Sequence, residues 1–276
     1  MRSISLLLSL FLVLHSALAQ STKANPTHLK PLVLGLTDRM HSTILNEDRD
    51  LNIYFPPGYN PNSDTSYPVI YLLDGSADED FIHISGIVQF LSQIVDTMPR
   101  CIVVGIANVD RKRDYTFPTR VAKDKKDFPT TGGSDRFISF IEKELQPYLE
   151  RTYKIGAYKV LVGQSLGGLL ATEILLRRPA LFNCYLIVSP SLWWDTGSLL
   201  TQASALLSAQ PDADRHVFIA VGAEGKEMED DAKKLAEILQ TKKGMKVDLA
   251  TLPDENHLTI LHNAAYKGFE VLFSRK

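Results

Sequence analysis

Six short runs of branched and aromatic residues, apolar on both faces, do most to limit what this chain can fold into. They occupy residues 69–73, 101–106, 159–162, 185–188, 217–221 and 247–251. Runs of this length without sustained polar alternation read as strands covered on both sides, as in a parallel sheet. Longer stretches between them have helical spacing. Phe137, Ile141, Leu145 and Leu149 recur every fourth residue behind Gly133 and Ser134 as an N-cap, and Met228, Ala232, Leu235 and Leu239 repeat the pattern. Such alternation implies an α/β class fold: a doubly wound, mostly parallel sheet with crossover helices. Ahead of it, residues 43–45 and 50–55 read as an antiparallel hairpin turning at 46–48, ended by Pro56-Pro57-Gly58-Tyr59. Residues 111–131 are polar, contain proline and are long for a strand-to-helix connection, which marks a candidate functional loop.

The N-terminus has a different character. Arg2 is the only charged residue among the first twenty, an apolar run follows from Leu6 to Leu14, and Ala17-Leu18-Ala19 precedes Gln20. Basic, apolar and small-residue regions in that order predict a signal peptide over residues 1–19, and hence export to a periplasm or the outside of the cell. The run is too short for the ~20 residues of a spanning helix, so no membrane attachment is expected after cleavage. Residues 20–276 then suit one catalytic domain with a full core, without repeat, linker or lid-sized insertion. A formal net charge of −2 gives no reason to expect nucleic acid. Cys101 and Cys184 lie within strand-like runs and read as buried free thiols, a disulfide being the alternative. Two distant cysteines without an H-E-x-x-H motif argue against zinc, and no cofactor or metal is expected.

Gly163-Gln164-Ser165-Leu166-Gly167 is a G-x-S-x-G pattern. Composition alone would place that pattern in roughly one chain of this size in ten. Here it directly follows a strand-like run and directly precedes a helical one, Leu169 to Arg177, stopped by Pro179. That is the strand-turn-helix setting of a nucleophile elbow in an α/β-hydrolase fold. The glycines allow a tight turn that projects the serine Oγ, and the turn sets the N–H of Leu166 at a helix start, where an oxyanion can be held.

A serine nucleophile needs a base, which in this fold lies C-terminal to it. Of the three histidines there, His216 precedes its strand and His262 falls inside the last helix. His257, in Pro253-Asp254-Glu255-Asn256-His257, follows a strand at the carboxyl edge where such sites form. The acid belongs to the segment Gly222 to Asp231. Glu224, nearest the strand end, is the first choice and Glu227 the second; Glu229, Asp230 and Asp231 suit the first turn of a helix. A second oxyanion donor is expected from the backbone of Gly75 or Ser76, after the first long strand.

These pieces resemble the putative-esterase branch of the α/β hydrolases, which includes siderophore trilactone esterases and S-formylglutathione hydrolases. The resemblance runs from about Thr43 to the C-terminus. It rests on residues 67–75 (YPVIYLLDG), 111–115 (RKRDY), the elbow, 189–194 (SPSLWW) and 255–257 (ENH). The tryptophan motif is most like the siderophore-esterase group, and the signal peptide speaks against the intracellular formylglutathione enzymes. Two pairs of residues have two readings each. Trp193 and Trp194 would wall an acyl or aryl pocket or cap the core. Arg111 and Arg113 would meet an anionic or catecholate substrate or form a solvated surface. The resulting expectation is an exported carboxylic-ester hydrolase acting on small-molecule esters through Ser165, His257 and Glu224. Its rivals are an acyltransferase with the same residues and a non-catalytic ligand-binding protein on the same scaffold.

Overall fold

A computed structural model describes residues 29–274; the predicted signal peptide lies outside the described residues. Within the unit Leu34–Lys276, eight strands form one sheet: β1 (Leu36–Ser42), β2 (Glu47–Tyr54), β3 (Tyr67–Leu72), β4 (Ile102–Ile106), β5 (Ile155–Gln164), β6 (Cys184–Val188), β7 (Arg215–Gly222) and β8 (Met245–Leu252). Their order is β1-β2-β4-β3-β5-β6-β7-β8. The β1–β2 and β2–β4 pairings are antiparallel and the other five are parallel. The doubly wound sheet with an antiparallel N-terminal hairpin is therefore present, and the fold is that of an α/β hydrolase.

Two apolar layers explain why both faces of the central strands are hydrophobic. Alternate residues such as Tyr71, Leu161, Ile187 and Ile219 meet α4 (Ser134–Phe140), α5 (Gln146–Thr152), α6 (Leu166–Arg177), α7 (Trp194–Ser208) and α8 (Lys226–Gln240). Those between them, including Ile70, Val162, Leu186 and Phe218, meet α1 (Phe81–Gln93) and α9 (Ile260–Phe273). In the segment 111–131, two short helices form, α2 (Arg111–Tyr115) and α3 (Ala122–Asp127).

Two details depart from the periodicity. The hairpin is displaced, because residues 43–46 are the turn and the first strand is Leu36–Ser42. That edge strand is largely exposed and polar, so it carries little apolar signal, whereas Leu45 is buried within the turn. There the Glu144 carboxylate accepts the N–H groups of Thr43 (3.0 Å) and Ile44 (3.1 Å). The four-residue stripe from Phe137 to Leu149 also outruns an α-helix of 3.6 residues per turn. One wider π turn, Ile141–Leu145, joins α4 to α5 and takes up the drift, so all four side chains stay buried.

Candidate active site

Ser165 sits between the end of β5 and the start of α6 with φ 58° and ψ −119°. A non-glycine residue in that region is strained, and its surroundings hold it there. Its N–H donates to Val188 O (3.0 Å) and its carbonyl accepts the N–H of Ser191 (3.0 Å). Gly163 permits the turn, since a Cβ there would run into the carbonyl of Gly167. Leu166 opens α6, where the first N–H groups have no intrahelical acceptor.

The loop after β8 brings His257 Nε2 to 3.0 Å from Ser165 Oγ. Two bonds fix that loop: Gln164 Nε2 donates to His257 O, and Leu258 N–H donates to Asn256 Oδ1 (2.9 Å). His257 Nδ1 faces Glu224 Oε2. The other oxygen of Glu224 accepts from Gly222 N–H (3.0 Å) and from Ser189 Oγ, and the Glu224 side chain is only 3% exposed. Of the acidic candidates, then, Glu224 is brought to the imidazole, while Glu227 lies exposed in the first turn of α8. A hydroxyl bonded to an imidazole that is steadied by a buried carboxylate can surrender its proton to the ring. His216, by contrast, pairs with Asp248 (2.6 Å) at the other end of the sheet.

Ser191 went unread in the sequence as a site residue. It is buried, and its Oγ lies 3.3 Å from Ser165 Oγ. Its place just beyond the carboxyl end of β6, the strand beside β5, was the available signal.

The loop after β3 is clamped by α2. Arg111 forks onto Asp74, with Nε to Oδ1 at 2.6 Å and Nη2 to Oδ2 at 2.9 Å, and the Tyr115 hydroxyl oxygen accepts the Asp74 N–H (2.9 Å). Positions 111 and 115 share one face of the helix, so one turn of α2 grips both the side chain and the backbone of Asp74. A backbone bond beside the clamp bears on the oxyanion expectation. The Gly75 N–H is committed to Ile106 O (3.0 Å) across the sheet end, which leaves Ser76, whose N–H lies 3.3 Å from Glu79 Oε2.

The four substrate candidates separate in pairs. Arg111 lines the cleft beside Ser165, though its guanidinium is held by Asp74. Arg113 does not reach the cleft: it binds Asp114 (2.7 Å) and Glu47 (2.6 Å), and those two carboxylates also hold the buried Arg49. With Arg49 it balances the two carboxylates Glu47 and Asp114 in a four-membered ion cluster, a structural task set by desolvation. Trp193 lines the cleft with Met228, whereas Trp194 is fully buried and donates Nε1–H to Phe117 O (2.9 Å). Adjacent residues thus take opposite readings.

Ser165 and His257 lie between two hollows. One, of about 350 Å³, is lined by Asp74, Glu79, Asp80, Arg111 and Leu258. The other, of about 470 Å³, is lined by Ser191, Trp193, Ala223, Met228 and Asn256. In the first, burial together with the neighbouring Asp74 and Glu79 pushes the Asp80 carboxyl up to about 7. Among the described residues, no group of three or more His, Cys, Asp or Glu could hold a metal ion, and no helix is long and apolar enough to cross a membrane.

Known proteins share this frame. The family model described as "Putative esterase" matches residues 42–274. The ferri-bacillibactin esterase BesA of Bacillus subtilis is 29% identical over 243 residues, covering 78% of this chain and 82% of that protein. The siderophore triacetylfusarinine C esterase of Aspergillus fumigatus is 38% identical over 81 residues, 29% of this chain and 28% of that protein. Among solved structures, an IroE-like serine hydrolase from Shewanella oneidensis has a TM-score of 0.80 at 33% identity, over 87% of this chain and 80% of that one.

Proposed function

The chain belongs to the putative-esterase family of α/β hydrolases and is a carboxylic-ester hydrolase, and from that premise we propose that it cleaves siderophore-type lactone esters through Ser165, His257 and Glu224. The observation that carries the residue roles is the hydrogen bond of 3.0 Å between Ser165 Oγ and His257 Nε2, with Nδ1 turned to a buried Glu224.

In this reading Ser165 Oγ attacks the ester carbonyl as His257 takes its proton. Glu224 fixes the imidazole so that Nε2 is the free base, and stabilises the imidazolium that forms. The tetrahedral oxyanion is met by the N–H groups of Leu166 and Ser76; carbonyl approach displaces the weak contact between Ser76 and Glu79. His257 then protonates the leaving alkoxide, and a water deprotonated by the same nitrogen releases the acyl group from Ser165. Ser191 is a positioning residue: its N–H holds the Ser165 carbonyl, and its hydroxyl sets the Oγ rotamer. The siderophore class is supported by the activities named for the Bacillus and Aspergillus relatives and by the ring of Trp193 beside Ser165. Export through a signal peptide at residues 1–19 is part of the same proposal, supported by the basic, apolar and small-residue regions that follow one another there.

The test is Ser165→Ala assayed on 4-nitrophenyl acetate and on a tris-catecholate trilactone. Turnover should disappear on both, and labelling by a fluorophosphonate with it. Residual wild-type turnover removes Ser165 from its role. The wild type should cleave the trilactone at a kcat/KM at least roughly a hundredfold above the simple ester, the scale of a few well-placed contacts. Equal values on both discard the siderophore class while leaving the nucleophile standing.

A further inference from the structure

Away from the cleft, α6 and α7 border a further cavity of about 520 Å³, whose walls include Phe117, Ser134, Glu173, Arg177 and Asp195. Glu173 follows Ser165 by eight residues along α6 and is 3% exposed. Its Oε1 lies 3.2 Å from Arg177 Nε. Its Oε2, the Oγ of the fully buried Ser134 and Arg177 Nε lie beside one another, yet none of the three makes a hydrogen bond of good geometry. Only seven buried side-chain atoms among the described residues are unpaired in this way, and three of them line this one cavity. Native chains rarely leave such groups unpaired, so their convergence points to something that binds there. Burial pushes the Glu173 carboxyl up, even though Ser134 and Arg177 beside it favour the charged form.

The remaining walls narrow the chemistry. Asp195 Oδ1 is already engaged, accepting from Thr119 Oγ1 and the Arg120 N–H, both at 2.8 Å. Arg120 and Arg177 line the space together with Asp135, Glu173 and Asp195, so a ligand of either sign would meet a like charge. The three unpaired atoms offer one acceptor, one donor and one hydroxyl that does both. Vicinal hydroxyl groups complement that set, since each can donate to Oε2 while accepting from Nε. Phe117, Pro118 and Leu199 add apolar surface for the C–H face of such a molecule.

We infer that the cavity between α6 and α7 binds a neutral polyhydroxylated molecule, a polyol or saccharide, through Glu173, Ser134 and Arg177. The site is independent of the catalytic reading and stands or falls separately from it.

The experiment titrates the isotope-labelled full protein, followed by amide NMR, with sucrose and myo-inositol. Succinate and putrescine serve as charged controls. Saturable shifts are expected at 134–135, 173–177 and 195–202 with a neutral polyol and not with either control. Glu173→Gln, which keeps the shape of the side chain, should weaken binding by roughly tenfold or more, the worth of a charge-assisted hydrogen bond. If that variant does not fold, Ser134→Ala provides the same comparison. No saturable shift with either polyol overturns the proposal. So do equal shifts with a charged control, or a high-resolution crystal grown with sucrose in which ordered water alone completes Glu173 Oε2.

Discussion

On the β3–β4 side of Ser165 the cleft is lined with ions, while on the β6–β8 side it holds a buried carboxylate, an imidazole and the ring of Trp193. The ionic wall is rigid because α2 grips Asp74, and it is crowded with acid: Glu79 and Asp80 crowd the same hollow as Asp74, and only Arg111 opposes them there. The opposite wall places one carboxylate, Glu224, where three donors meet it: Gly222 N–H, Ser189 Oγ and the imidazole. Charge that is not bonded to the imidazole can shape which substrates enter. Charge aligned behind an imidazole can move a proton. In both walls the carboxylates come from short loops at the carboxyl ends of strands, so neighbours and not residue type set their work.

Removing Glu224 should break this contrast hardest. Glu224→Gln is expected to lower kcat on 4-nitrophenyl acetate by about 10³–10⁴-fold with little change in KM, because the tautomer of His257 is no longer held. Glu79→Gln, in the ionic wall, should appear chiefly in KM. A matching collapse of kcat would mean that the two walls share the chemistry.

Next in size is the tryptophan pair. Trp194→Ala should cost about 3–5 kcal/mol of stability, read as a lower urea midpoint, because a fully buried ring and its hydrogen bond to Phe117 are lost. Trp193→Ala should leave the midpoint nearly in place and raise KM for aryl esters more than for acetyl ones. A stable Trp194→Ala protein with raised KM would reverse the assignment.

The smallest effect sharpens the ionic wall. Asp80 keeps its proton to about pH 7 in the folded chain, against 3.8 for an ordinary aspartate. Between those values the folded state binds more protons than the unfolded one, so this group makes stability fall as pH rises through that window and level off above it. Asp80→Asn should flatten that decline in urea melts taken from pH 4 to 8. An unchanged slope would show that Asp80 titrates as an ordinary aspartate.

Much of this was legible in the chain, and the reasons are local. The central strands are apolar on both faces because helices cover both, so β3 to β7 announced themselves. The elbow is one uninterrupted stretch, Gly163 to Gly167, whose glycines are demanded by the turn itself. His257 could be singled out because its two competitors fell on the wrong edge and inside a helix. The hairpin was misplaced by several residues because β1 is a polar edge strand. The loop acids were indistinguishable by spacing, since any carboxylate near a helix start suits the dipole.

By itself, then, the sequence determined the doubly wound architecture, the strand-turn-helix setting of Ser165 and which histidine lies beside it. Tertiary structure alone decided which of several acids turns inward, that Trp193 faces the cleft while Trp194 fills the core, and that Arg111 and Arg113 part company within one helical turn. It also decided that the Gly75 N–H bonds across the sheet end and that Ser191 stands beside Ser165. The physical reason is the same each time. Strand and helix periodicity is written in consecutive residues, but the partner of a polar group is chosen by elements far apart in sequence that meet only once the sheet has formed.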